Sequence, residues 1–498
     1  MEVLQLAPWQ FELGCWQFAV DSLLNGVEYE CCSAIEEHRR NSFFSTHFVC
    51  KKAVKPCKES VLHHSIFPIS VKLGTIVKVI KDKNMPKTKE KTDVKKVVIT
   101  IDMGASKTKA IAQEYPEGKP VVLLFDSEVA DVAKASIESV QQEGSPESRT
   151  WVGIGDEYCA LGELARRRFG GISQLKELKY ELAVPKICGA FWLAKEKLNL
   201  GNDVAAYLSI LLPPGEVQDK EQLQVRLKDA FRGFDTPAGK MRVKMLRYDA
   251  ASEGSGIFFH RRRSLGNNMP ASMYVMLGYR NASIFTFRSG SIGAGITSNF
   301  GMSWLVNNFT SKTSGLSPDN PNIIEVLVEA GVSCDSQVMQ KLSRKRKGDE
   351  IQLDGESMSK ALLLARDEYW RALVRWLRSK MDEDIEELVF CGGTADYIRP
   401  EIDTYFQKEG IKVSWHGNIF IPDEISSGIG NRMADVWALY QYMIIQFDEL
   451  TGYTRSEVVL LTKSAEGSTD NQDEEVKRKY NFTPCERPST FIGVNENV

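Results

Sequence analysis

The sequence predicts an α/β fold made of two similar parts. Short runs rich in Val and Ile alternate with helical segments from residue 97 to residue 447, the pattern of strands and helices taken in turn. A strand–turn–strand at 97–113 is echoed by a second at 273–287, which points to two halves of like architecture. At 498 residues the chain exceeds one ordinary core, so two or three domains are expected.

The first strand–turn–strand organises the rest. Val97, Val98, Ile99, Thr100 and Ile101 form a β-branched run that ends on Asp102. A short run of this kind reads as a buried strand. Gly104 lets the backbone turn sharply and lets a ligand come close. Ser106, Thr108 and the loop amides can donate hydrogen bonds to phosphate oxygens, and Lys107 or Lys109 can add positive charge. Asp102, at the strand end, is placed to hold a magnesium ion through water, because magnesium keeps several waters and takes few protein carboxylates. The plainer alternative is an ordinary hairpin with a Gly turn.

Composition excludes some classes. The 43% hydrophobic and 26% charged fractions are those of a globular protein. A formal net charge of -3 gives no global pull toward nucleic acid or membrane, and no apolar run is long enough to span a bilayer. Residues 1–24 contain Glu2, Glu12 and Asp21 and lack a basic lead, so no secretory signal is expected and the protein is read as cytoplasmic. The first ninety residues differ from the rest. They hold Cys15, Cys31, Cys32, Cys50 and Cys57 out of 10 cysteines, and His38, His47, His63 and His64 out of 6 histidines. A zinc site needs better spacing than an adjacent Cys31–Cys32 pair with no Cys-x-x-Cys, and a disulfide scaffold lacks a secretory context. Met85 leads through a Lys-rich segment straight into the organising strand, so residues 1–84 are expected to be an extension ahead of the working core.

Further elements follow in order. Residues 160–169 read as a helix stopped by Gly170 and Gly171, with Arg166, Arg167 and Arg168 suiting its C-terminal dipole rather than nucleic acid. A long helix is expected over 174–200, with Pro185 near its middle, then a strand at 204–212, a helix at 220–231 and a strand at 241–246. Ser252, Glu253 and Gly254 come next. In the second half, strands at 273–277 and 284–287 flank a turn with Gly278, Arg280 and Asn281. A helix is expected at 322–332, and a solvated basic cluster at 343–347. The helix at 357–380 carries an apolar stripe of Leu362, Ala365, Tyr369, Leu373, Trp376 and Leu377, which reads as core. A strand at 386–390 runs into Cys391, Gly392, Gly393 and Thr394. Two glycines there allow a flat ligand to lie against the backbone; a tight strand-to-helix turn is the plainer alternative. A helix from Arg432 to about Phe447 follows, and beyond it the polar tail is expected to be disordered.

Together these pieces resemble the actin-like ATPases, and within them the plasmid-segregation proteins of the ParM/StbA type. Residues 102–109 resemble the first phosphate loop, 252–254 the place of a water-orienting Glu or Gln, and 392–394 the adenosine loop. The helix segment 366–368 lies where that family often contacts the nucleoside. The resemblance implies an actin-like (ribonuclease H-like) fold of two α/β domains with ATP in the cleft between them, spanning 97–270 and 271–447. It leaves 1–96 as an N-terminal extension of unknown role and 448–498 as a tail. It implies Asp102 for the magnesium ion, and Gly104, Ser106, Lys107, Thr108 and Lys109 for the phosphates. Glu253 falls to the attacking water, and Gly278, Arg280, Asn281, Gly392, Gly393 and Thr394 complete the nucleotide site. It further implies a filament-forming ATPase that reaches DNA through an adaptor protein, with no direct membrane or nucleic-acid contact. A departure stands out: the second phosphate loop usually begins with Asp, and here the turn after Met276 and Leu277 keeps Gly278 but has no acid. Nucleotide binding is therefore better supported than fast hydrolysis. A small-molecule kinase or a non-hydrolysing nucleotide-binding scaffold on the same fold are the alternatives.

Overall fold

A computed structural model describes residues 94–140, 144–172 and 178–455. The expectations about the N-terminal cysteines and histidines, and about the tail beyond residue 455, lie outside the described residues. What is described is mixed α/β in two halves. Strand β1 (Lys96–Met103) pairs antiparallel with β2 (Lys107–Tyr115) and parallel with β7 (Asp203–Leu212). β3 (Val121–Asp126) flanks β2, and β9 (Gly239–Ser252) flanks β7. The sheet continues through β8 (Phe234–Thr236), β5 (Trp151–Ile154), β6 (Glu157–Leu161) and β4 (Val129–Val132). In the second half, β10 (Ser272–Leu277) pairs antiparallel with β11 (Ala282–Arg288) and parallel with β14 (Glu387–Cys391). β12 (Ser291–Ile292) and β13 (Ile296–Ser298) add to β11, and β15 (Lys412–Trp415) to β14. The leading hairpin and its parallel neighbour are thus laid out the same way twice.

β1 shows why the sequence folds this way. Its branched residues fill both faces of a central strand, and all but Lys96 are buried. Val97, Ile99 and Ile101 pack into the core of the first half, while Val98 packs into a layer between the two sheets. By the two-residue period of a strand, Asp102 shares the face of Val98. The same holds in β10: Met273, Val275 and Leu277 face the second core, Tyr274 the central layer. The central layer is filled by two helices. In chain order the labelled helices are α1 (Gly162–Phe169), α2 (Ala183–Leu198), α3 (Lys220–Ala230), α4 (Ser255–Leu265), α5 (Gly348–Lys380), α6 (Gly393–Tyr397) and α7 (Ala434–Thr451). α4 and α7 lie against each other in this layer. Gly256 allows it, because a Cβ there would sit 2.1 Å from the Asp435 carbonyl oxygen. Arg261 of α4 donates to Glu387 of β14 at 2.5 Å and to Ser414 at 3.2 Å. Both members of that ion pair are buried, so it ties α4 to the second sheet.

Several expected boundaries move. α1 begins at Gly162, because residues 157–161 form β6. The long helix expected over 174–200 is Ala183–Leu198. Pro185 is in its first turn, where a missing N–H costs nothing. β9 runs on to Ser252, which delivers Glu253 directly at a strand end. α5 starts at Gly348, and of its expected stripe Leu362, Ala365, Tyr369, Leu373 and Leu377 are buried while Trp376 is half-buried at the edge of the core. α7 extends to Thr451, and Asp448 of its last turn is paired with Arg455. The basic cluster at 344–347 is exposed. No described helix is long and apolar enough to cross a membrane.

Candidate functional site

The site lies at the ends of β1, β9, β10 and β14, where both hairpin turns and the start of α6 meet. Asp102 is its centre. Lys109, its cross-strand partner in β2, pairs with one carboxylate oxygen. Lys179, just ahead of α2, donates to the other at 2.7 Å and to Glu253 at 3.0 Å. Glu253 also accepts from the Ser283 hydroxyl of β11 at 3.2 Å, so one carboxylate is shared by both halves. Lys179 is buried, with 6% of its side chain exposed. Burial alone would raise the Asp102 pKa, but Lys109 and Lys179 override it and hold the carboxyl well below the usual carboxylate range. Burial alone would lower the Lys179 pKa, but Asp102 and Glu253 override it and hold the ammonium above its ordinary value.

Arg432, just ahead of α7, connects the loops. Its carbonyl accepts from Lys109 at 3.2 Å, and its guanidinium donates to the Ser106 hydroxyl at 2.8 Å. Its side chain also lies over Gly393, where a Cβ would meet Arg432 Cγ and Cδ at 3.2 Å. Asp435, in the first turn of α7, accepts from the backbone N–H of Gly254 at 2.7 Å and of Ile257 at 3.3 Å. Burial pushes its carboxyl up to about 7; the Gly254 N–H opposes this, and the Asp102 charge adds to it.

The expected residues divide. Asp102, Lys109 and Glu253 come together, with Ser106 joined through Arg432. Gly104 closes the β1–β2 turn, where a Cβ would lie 2.8 Å from the Lys107 carbonyl oxygen. Gly392, Thr394 and Gly278 also come together. Thr394 donates to the Gly278 carbonyl at 2.8 Å, and Gly392, with φ +99°, packs so close that a Cβ would stand 2.3 Å from the Leu277 carbonyl oxygen. Other residues are directed elsewhere. Lys107 is held by Asp126 at 2.5 Å, its cross-strand partner in β3. Thr108 alternates with Lys107 and Lys109, so its fully buried side chain faces the opposite side of the sheet. Arg280 reaches out of the second turn to Glu216 of the first half, and the Asn281 amide faces Arg280. Arg366 is bound to Glu401 and donates to the Tyr397 carbonyl at 2.7 Å, and Glu368 is held by Asn308 and Lys312, so that segment is engaged within the second half. Lys179, Arg432, Asp435 and Ser283 carry the site and were not among the expected residues. Ser283 had a signal, since it occupies in the second hairpin the place of Lys109 in the first. Lys179 had none: it is an isolated lysine in a charged segment.

The arrangement presents cationic groups from Lys109, Lys179 and Arg432 beside buried Asp102 and half-buried Glu253. Ammonium and guanidinium groups of this kind suit a ligand that carries negative charge.

No protein-family model matches the chain, and no curated protein sequence matches it. Solved structures with similar folds include a 15-stranded ParM filament from Clostridium botulinum, 15% identical, with 71% of this chain and 99% of that chain covered at a TM-score of 0.48. They include the archaeal actin homologue Ta0583, 15% identical, with 70% of this chain and 99% of that chain covered at a TM-score of 0.47. They also include the AlfA filament from a B. subtilis plasmid, 14% identical, with 69% and 97% covered at a TM-score of 0.41. In its mixed α/β architecture the chain is similar to these actin-like structures, and the likeness is one of fold alone.

Proposed function

We propose that the protein binds ATP between its two halves, hydrolyses it slowly and assembles into filaments. The observation that supports this reading is the convergence of Asp102, Lys109, Lys179 and Glu253 with Ser106, Arg432 and Gly393 at the ends of strands from both halves. Phosphoryl transfer asks mainly for positioning and charge stabilisation. In this reading Lys109, Lys179, Arg432 and the loop amides around Gly104 and Ser106 hold the phosphates. The nucleoside lies against Gly392 and Gly393, with Gly278 and Thr394 bracing that strand end. Glu253, held by Lys179 and Ser283, places the attacking water. Arg280 and Asn281 reach phosphate only after Arg280 leaves Glu216.

As direct ligands of magnesium, the ion that the sequence resemblance implies, the residues do not fit as they stand. Both Asp102 oxygens face ammonium groups, Glu253 is shared by Lys179 and Ser283, and the second turn supplies no acid. Among the described residues, no group of three or more His, Cys, Asp or Glu side chains could hold a metal ion.

Filament formation rests on the sequence resemblance together with the two-half architecture. A ligand gripped from both halves favours one relative orientation of them, and head-to-tail contacts that do not close build open filaments. A role in moving or segregating plasmid DNA through an adaptor protein belongs to the same proposal. The net charge of -3 suits an adaptor better than direct DNA contact. The test is sedimentation and negative-stain microscopy with ATP, ADP or no nucleotide. Polymer with ATP is the expected result. Monomer under all three conditions at about tens of micromolar, where weak contacts populate, overturns the filament reading and leaves a nucleotide-binding scaffold.

A further inference from the structure

We propose that Lys179 is the site's own counter-cation, so that nucleotide phosphates are taken up without a divalent metal. The inference rests on the nucleotide reading above and adds to it the ionic form of the ligand. Its basis is where the Lys179 ammonium sits. It is buried and stands 2.7 Å from Asp102 and 3.0 Å from Glu253, the spacing of charge-assisted hydrogen bonds. A magnesium ion bonds its direct ligands at about 2.0–2.1 Å in near-octahedral geometry, and both Asp102 oxygens and one Glu253 oxygen are already engaged by ammonium groups, so the lysines stand where a directly bound metal would. Removing the Lys179 ammonium with no cation in its place would leave Asp102 with Lys109 alone and Glu253 with only a neutral hydroxyl, which is costly. The lysine is also held in place by its chain. The backbone N–H of Tyr180 donates to Glu216 at 3.0 Å, and Glu216 is the partner of Arg280. The tethered ammonium is therefore fixed between the strand ends of the first half and the turn of the second. With Asp102 and Glu253 offset by Lys109 and Lys179, the Arg432 guanidinium adds net positive charge beside Ser106. Metal-free ATP would then meet the Arg432 guanidinium and the loop amides directly.

ATP binding to the full chain is measured by calorimetry in EDTA and again with excess magnesium. The wild-type dissociation constant in EDTA is expected within about threefold of that in magnesium, whereas Lys179→Met should lose about tenfold or more in EDTA and recover with magnesium. Lys179→Arg should bind in EDTA like the wild type. A merely structural lysine would instead weaken binding equally in both buffers. Wild-type binding that needs magnesium, or a Lys179→Met protein that binds as the wild type does in EDTA, overturns the proposal and leaves the nucleotide reading standing. Should Lys179→Met fail to fold by thermal melting, the wild-type comparison between the two buffers still decides. No ATP bound by the wild type in either buffer overturns the nucleotide reading and this proposal with it.

Discussion

In the first half, the next-to-last cross-strand pair of the leading hairpin is Asp102 with Lys109; in the second half, the pair at the same register is Met276 with Ser283. Both hairpins close with a last pair, Met103 with Thr108 and Leu277 with Ala282, and both lie beside a parallel strand. Both pairs turn toward the layer between the sheets. One backbone plan therefore carries two chemistries. The first hairpin supplies a buried acid and its ammonium partner. The second supplies an apolar side chain and a hydroxyl that donates to Glu253 of the first half. A repeated scaffold does not require repeated function: the acid and its ammonium partner sit on the first hairpin alone, and the second hairpin adds a hydroxyl.

The largest expected effect tests that asymmetry directly. Asp102→Ala strips the shared partner from Lys109 and Lys179. Breaking a buried pair from one side costs about 3 kcal/mol, and ATP binding should be lost with it. Met276→Ala, at the equivalent register, removes only partly buried apolar atoms and should cost about 1 kcal/mol. Urea unfolding of the two variants decides, and equal losses would mean that the hairpins are energetically alike.

Adjacent glycines sharpen the picture next. At Gly392 a Cβ would collide with the Leu277 backbone, and φ is +99°, so Gly392→Ala should cost about 2 kcal/mol or more. At Gly393 the obstacle is the Arg432 side chain, which can move. Gly393→Ala should fold normally and weaken ATP binding as Arg432 is displaced. Unchanged ATP affinity in folded Gly393→Ala would reduce this strand end to a turn.

Two acids compared across the site give the next effect. Asp102 is offset by lysines, whereas Asp435 is buried with only backbone N–H groups, and its carboxyl rises to about 7 from an unfolded value of 3.8. A raised folded pKa gives stability that is full below the unfolded value and is lost as pH rises through the folded one. Between about pH 5 and 7 the wild type should lose up to ~1.4 kcal/mol per pH unit from this group. Asp435→Asn should lack that slope. Parallel pH profiles of the two proteins in urea unfolding would show that Asp435 titrates normally.

The smallest effect separates two lysines on one strand. Lys107 pairs with Asp126 and is about a third exposed, at 34%, so Lys107→Ala should cost about 0.5 kcal/mol and leave ATP binding unchanged. Lys109→Ala should reduce ATP binding strongly. A comparable loss of affinity in both would return Lys107 to the phosphate site.

The elements that could be read from sequence are those whose signal fits in a short window. The continuous β-branched run of β1, buried on both faces, and the helical stripe of α5 are local consequences of side-chain shape and period. Asp102 sits at a strand end that the pattern marks, whereas Glu253 was legible through the family resemblance, because the strand expected at 241–246 runs on to Ser252. Boundaries were less legible where one propensity overrode another, as in α2, whose Pro185 opens the helix instead of interrupting it.

The sequence by itself therefore determined the α/β class, the twofold hairpin plan and the acid at the end of β1. Only the tertiary structure decided what that acid meets. Lys179 reaches Asp102 from 77 residues away and Glu253 from 74, and Arg432 reaches Ser106 from 326. No local pattern records such distances, because a buried ammonium owes its place to the charges that face it once the sheets have closed.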